Sequence, residues 1–195
     1  MVKIDKIYTG GGDSGQTSLV NGNRCSKFSH RVHAMGEIDE TNSVIGLARN
    51  VSNNKNQTLS DTLSQVQNDL FDLGADIATP GDKSNGGVLR IQKDQVSRLE
   101  EQIDRFNNSI EPLNSFVLPG GSKEAAWLHL ARSVTRRAER AVVGLSETEP
   151  VNPLAIKFLN RLSDLLFVLA RLTNCKGKSD VLWVPGLTSK ANKDK

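Results

Sequence analysis

The sequence predicts an all-α fold, an antiparallel bundle of about five helices. Three observations carry that expectation. Apolar residues recur at spacings of three and four in five separate segments. Breaks bearing proline or glycine separate those segments. No alternating apolar–polar run is long enough to build a sheet. The 195 residues suit one domain with its own core, read as an irregular arm (1–31), a helical bundle (32–175) and a tail (176–195).

The first helix is expected from Val32 to Arg49, with Ile38, Ile45 and Leu47 among its apolar positions. In the second, Leu59, Leu63, Val66, Leu70, Leu73 and Ile77 form a bundle-type seam. Thr79-Pro80-Gly81 stops it, because proline cannot continue the hydrogen-bond ladder. A polar loop follows from Asp82 to Gly87, and Val96, Leu99, Ile103 and Phe106 mark the third helix. Phe116-Val117-Leu118-Pro119-Gly120-Gly121 breaks the chain, and Ser122 is placed to cap the fourth. Trp127, Leu130, Val134, Ala138, Ala141 and Leu145 give that helix an apolar side. Asn152 as N-cap and Pro153 at the first helical position open the fifth, which runs to about Cys175. Lys190 to Lys195 reads as an unstructured end.

Composition narrows the function. The net charge is only +3, so positive charge matters where it is concentrated and not in total. Cys25 and Cys175 form no disulfide framework and no zinc motif, which fits a reducing compartment. His30, His33 and His129 lack metal-ligand spacing, so no metal site built by the protein is expected. No segment approaches the roughly 20 apolar residues of a membrane span, and no targeting sequence precedes the first helix. The expectation is a cytoplasmic protein without membrane contact.

Chemistry concentrates in three places. Arg132, Arg136 and Arg140 recur every four residues along one stripe of the fourth helix, facing solvent, an anion or another subunit. Thr9-Gly10-Gly11-Gly12-Asp13-Ser14-Gly15-Gln16-Thr17-Ser18 is a glycine-rich loop whose backbone N–H groups could converge on phosphate. It is not a Walker A loop, since Gln16 stands where the lysine belongs, although Lys27 downstream could supply a cation. A flexible arm would look the same. On the fifth helix Asn160, Asp164, Phe167 and Arg171 fall on one face, as a capping and salt-bridge set or as part of a site.

Together these segments resemble the PduO-type ATP:cob(I)alamin adenosyltransferases over nearly the whole chain. The likeness rests on Ile7-Tyr8-Thr9 with Gly12 to Thr17, Gly36 to Ser43 with Ile45-Gly46, Asp72 to Pro80, Phe116 to Gly121, Arg132 to Arg140, and Phe158 to Asp164. The resemblance implies a homotrimer of five-helix bundles with sites between subunits. It implies transfer of the 5′-deoxyadenosyl group of ATP, with Mg²⁺, to the cobalt of cob(I)alamin, releasing triphosphate. Cobalt(I) is itself a strong nucleophile, so the absence of a catalytic triad is no obstacle.

The resemblance also assigns residues. Thr9, Gly10, Gly11, Gly12, Thr17, Ser18 and Lys27 correspond to the ATP-binding arm, and Arg136, Arg137, Glu139, Arg140 and Asn160 to helical ATP contacts. Arg136 is expected to face the triphosphate. Asp39 and Arg132 match a salt bridge between subunits. Phe116 matches an aromatic on the lower face of cobalt, where excluding an axial ligand from cob(II)alamin eases its reduction, and Phe167 a second part of that wall. An electron-donating reductase and an adenosylcobalamin-dependent acceptor enzyme are the implied partners.

The arm departs from the family pattern at Gly10, Gly11 and Ser14, where two basic residues and a threonine are usual, so weaker ATP binding is expected. Two rival readings are a corrinoid carrier with the same bundle and a nucleic-acid module built on the arginine run. Glu139 interrupts that run and no aromatics are interleaved with it, which disfavours nucleic acid.

Overall fold

The computed structural model describes residues 7–52, 56–81 and 89–189. Its elements in order are β1 (Gln16–Ser18), β2 (Arg24–Ser26), α1 (His30–Ser52), α2 (Gln57–Ile77), α3 (Lys93–Asn107), α4 (Lys123–Ser146) and α5 (Pro153–Thr173). Five helices in the expected order form the bundle. Asn56 accepts a bond from Leu59 N (3.1 Å) at the start of α2, and Ser122 one from Ala125 N (3.1 Å) at the start of α4. Asn152 accepts from Leu154 N (3.0 Å) just ahead of Pro153, so α5 starts where its sequence says it should.

α4 packs against both α1 and α5, α2 packs against α1, and α3 against α5. Leu63, Leu73, Ile45, Leu128, Leu162 and Leu166 have no exposed surface and fill the centre. Between α2 and α3 the contact is polar. The Asp69 carboxylate accepts from Arg98 at 2.6 and 2.8 Å and from Gln95 Nε2 at 3.0 Å.

The structure corrects four details. The arm of residues 1–31 is not wholly irregular: β1 and β2 pair antiparallel, with Thr17 opposite Cys25. α1 begins at His30 and ends at Ser52, and α5 ends at Thr173, before Cys175 and Lys176 take positive φ. Leu130 is 45 % exposed, and the buried stripe of α4 runs instead through Leu128, Ala131, Thr135, Ala138, Val142 and Leu145. That series keeps strict spacings of three and four, and Leu130 lies off it. Leu47 of α1 is likewise exposed. The expected loop from Asp82 to Gly87 and the end from Lys190 to Lys195 lie outside the described residues.

One buried carboxylate ties the helix ends together. Asp76, 1 % exposed, accepts from Arg90 Nη1 (2.6 Å), Ile91 N (2.8 Å) and Asn152 Nδ2 (2.8 Å), joining the end of α2 to the approaches of α3 and α5. Arg31 extends the tie, donating to Ile77 O (2.6 Å) and to Glu149 (2.7 Å). Replacing Asp76 by alanine leaves Arg90 without its counter-charge and several donors unmade. The expected loss is about 3–5 kcal/mol, as for other broken buried pairs. Urea unfolding of Asp76→Ala would show it as a lower midpoint with an unchanged slope.

Candidate functional site

Because one side of α4 is locked into the core, its charged side is forced outward between α1 and α5. The arginines there take different environments. Arg137 turns toward α1, where Nε donates to Glu37 Oε2 at 2.5 Å and Nη2 pairs with Glu40. Those two carboxylates hold its pKa above the ordinary arginine value. Arg132 turns toward α5, its guanidinium 6.0 Å from the centre of the Phe167 ring. Its Nε is buried without a hydrogen-bond partner, and burial, then Arg136, push its pKa below the usual value. Arg136 is exposed, and Arg140 donates to the Arg136 carbonyl at 3.1 Å.

Glu139 and Asn160 join α4 to α5 directly, with Asn160 Nδ2 donating to Glu139 Oε1 at 3.0 Å. Arg161 donates to Asn160 Oδ1 (2.6 Å) and to Glu100 Oε1 of α3 (2.9 Å), which holds Glu100 below the ordinary carboxylate range. Asn160, Asp164, Phe167 and Arg171 share a face along the continuous α5, as expected, but Arg171 is taken up by a partner outside the site. Arg171 is buried against Asp180 (2.7 Å) and Glu111 O (2.7 Å), because the segment after α5 folds back and brings a carboxylate to it.

That same segment also braces an apolar cavity. A cavity of about 490 Å³ is lined by Leu113, Ser115, Phe116, Val117, Arg132 and Phe167. Phe116 and Phe167, brought together from separate motifs, thus share one wall, with Phe116 76 % exposed toward it. Trp183 meets Phe116 edge-on at 5.9 Å, and its backbone N–H donates to Phe116 O at 2.8 Å. Leu118 N donates to Val181 O (2.7 Å), so the 115–118 strip is paired with the 181–183 strip. Asn174 secures the turn, accepting from Ser122 N (2.9 Å) and donating to Gly120 O (3.3 Å). Gly121 is required there: at φ +95° a side chain is strained, and a Cβ would lie 2.2 Å from Asn174 Oδ1. Neither Trp183 nor this pairing was expected from the sequence. The apolar run Val181-Leu182-Trp183-Val184 was the available signal.

The glycine-rich arm forms a compact turn above the hairpin. Lys27 N donates to Gly15 O (2.9 Å), and the Lys27 ammonium lies over Gly12, 2.9 Å from where a Cβ would stand. Thr9, Gly10, Gly11 and Ser18 are exposed, whereas Gly12 and Thr17 are half-buried. The sequence reading missed Arg24, which donates to Gly11 O (2.5 Å) and Ser18 Oγ (3.2 Å) and adds a second cation to the arm. A bond from Val20 N to Ala78 O (3.3 Å) anchors the hairpin beside the end of α2. Ala78 also lines a cavity of about 330 Å³ between α1 and α2, together with Asp39, Met35 and Phe71. Asp39 therefore opens on a different groove from Arg132, and no ion pair joins them within the chain among the described residues.

His129 lies behind the aromatic wall, 1 % exposed, its ring 6.2 Å from that of Phe167 and both nitrogens without a partner. Burial, then Arg132, lowers its pKa from 6.5, against a smaller opposing pull from Asp180. A histidine whose folded pKa lies below its unfolded one binds more protons when unfolded. Its contribution is therefore present above pH 6.5 and is lost as pH falls toward the folded pKa. Thermal unfolding between pH 7.5 and 5 should show this loss, and His129→Phe should flatten that part of the profile.

An arginine face, an aromatic-walled cavity and a glycine-rich arm carrying two cations are the features of a protein that binds an anionic ligand and one with apolar surface. The Cobalamin adenosyltransferase family model matches residues 7–173. A corrinoid adenosyltransferase of Mycobacterium leprae is 47 % identical over 191 residues, covering 95 % of this chain and 98 % of that protein. The corrinoid adenosyltransferase of Bacillus subtilis is 44 % identical, covering 90 % and 91 %. A phenylalanine-to-histidine variant of the PduO-type ATP:corrinoid adenosyltransferase from Lactobacillus reuteri, complexed with cobalamin and ATP, superposes with a TM-score of 0.87. It is 40 % identical and covers 92 % of this chain and 97 % of its own. The chain belongs to the cobalamin adenosyltransferase family.

Proposed function

We propose that the α4–α5 face and the adjoining aromatic cavity form one reaction site. The chain is an ATP:corrinoid adenosyltransferase, moving the 5′-deoxyadenosyl group of ATP to the cobalt of cob(I)alamin. The observation that carries the assignment of the site is that Phe116, Phe167 and Arg132 line a single cavity, with Arg136, Glu139 and Asn160 continuing the same face toward the nucleotide side.

The cobalt(I) electron pair attacks C5′, a Co–C bond forms, and the C5′–O bond breaks with its pair leaving on triphosphate. The protein's task is orientation and charge stabilisation. Arg136, exposed and a turn beyond Arg132, faces the departing oxyanion. Glu139 and Asn160, bonded to each other, hold the nucleotide. Arg140 adds positive field, and Arg137, drawn to Glu37 and Glu40, stiffens α4 against α1 behind it. Phe116, braced by Trp183, keeps water and any lower ligand from the corrinoid metal. Mg²⁺ would accompany ATP and offset charge on its phosphates.

The active assembly is a homotrimer in which the arm of one subunit, anchored near Ala78, covers the arginine face of the next. Two separate grooves carrying Asp39 and Arg132, each without the other, support that arrangement through an Asp39–Arg132 pair across the interface. No helix among the described residues is long and apolar enough to cross a membrane, in keeping with work in the cytoplasm beside a reductase and an acceptor enzyme.

An anaerobic assay with reduced cob(I)alamin and ATP, following loss of the cobalt(I) absorption, tests the reaction. Adenosylcobalamin and triphosphate should appear together. Arg136→Ala should lower kcat by about 100-fold or more, the scale of losing one charge-stabilising donor group. Corrinoid binding without turnover would instead indicate a carrier. Sedimentation tests the assembly: Asp39→Arg should dissociate the trimer, and the swap Asp39→Arg with Arg132→Asp should restore part of it.

A further inference from the structure

Asp164 stands on the face of the site without a role in the reading above. α4 and α5 run antiparallel, and their facing side chains follow one another like rungs. Glu139 bonds Asn160 at 3.0 Å at one end, and Arg132 lies 6.0 Å from the Phe167 ring at the other. One turn on from Asn160 comes Asp164, and one turn on from Arg132 comes Arg136, so this pair forms the middle rung, where nucleotide side meets corrin side.

Partial burial and three charged groups determine what Asp164 feels. Burial raises its carboxyl above the ordinary value; Arg161 and Arg136 oppose that, and Glu139 reinforces it. Arg161 is already committed to Glu100 and Asn160. The Arg136 guanidinium has no hydrogen bond or ion pair among the described residues, and neither has the Asp164 carboxylate. A long exposed arginine held only at its backbone samples many rotamers, whereas fixed donors are what a developing oxyanion needs.

We propose that Asp164 is a positioning residue: its carboxylate takes one edge of the Arg136 guanidinium, so that the opposite edge presents its N–H donors to the leaving triphosphate. The inference rests on the adenosyl-transfer reading and adds a residue to it. The fork of Arg136 has donors enough for both partners.

The proposal separates binding from turnover. A carboxylate beside the triphosphate repels it, so removing the charge leaves ATP binding unchanged or tighter. Removing the anchor slows the step in which charge moves onto triphosphate. Asp164→Asn, equal in size and on an exposed helical face, should lower kcat at least tenfold without raising the ATP Kd. Asp164→Glu should recover part of the rate. With Arg136 already replaced by lysine, Asp164→Asn should cost much less than tenfold, since the group it positions is gone.

Four measurements decide it: single-turnover adenosylation, ATP titration, the double-mutant cycle and the unfolding midpoint of each variant. Wild-type-like kcat in Asp164→Asn, a purely weakened ATP Kd, fully additive losses in the cycle, or a rate that follows the unfolding midpoint would each overturn the positioning role while leaving the activity standing. A wild-type protein without turnover would overturn the reading and the inference together.

Discussion

The rest of the structure depends on the wedging of α4 between α1 and α5. Leu128, Ala131, Thr135, Ala138, Val142 and Leu145 give α4 a narrow buried stripe, and two of its neighbours close over it. A helix held on both flanks has only one direction left for its charged side chains. Arg132, Arg136 and Arg140 therefore project along a fixed line, and small residues in the stripe keep α5 near enough for Glu139 to bond Asn160. Crowded positive charge costs little at this partly solvated edge, because α1 contributes Glu37 and Glu40 and α5 contributes Asp164 to offset it.

Two polar hubs fix the ends of the bundle. Asp76 gathers the junctions around the end of α2 and the start of α5, at the end where the glycine arm is anchored. Asn174 and Asp180, with Arg171, fold the chain after α5 back onto the segment before α4. That fold-back pairs Trp183 with Phe116 and so braces one side of the cavity. The chemical parts lie at surfaces the hubs control, so the precision of the site comes from buried hydrogen bonds at some distance from it.

Much of this was legible in the residues. The seam from Leu59 to Ile77, the caps Ser122 and Asn152, and the breaks at Pro80 and Gly121 are local signals, and local physics acts on them directly. The apolar side of α4 was read one position off at Leu130, because a helix with alanines around its circumference has a poorly marked face. Arg171 was placed with Asn160 for a similar reason: spacing along a helix says which residues share a side but not which partner reaches them. Asp180 reached Arg171 first.

By itself, then, the sequence determined the helical order, the starts of α4 and α5, the spacing of the arginine stripe and the family to which the motifs belong, since these rest on residue type and short-range spacing. Tertiary structure alone decided which arginine does what: Arg137 neutralised by α1, Arg132 stacked on Phe167, Arg136 left open. It also decided that Arg24 joins the arm and Trp183 braces Phe116. Apart from the Arg24 contacts within the arm and hairpin, those outcomes rest on residues tens of positions apart, whose encounter depends on how whole helices pack. Periodicity fixes a face; only packing fixes what that face meets.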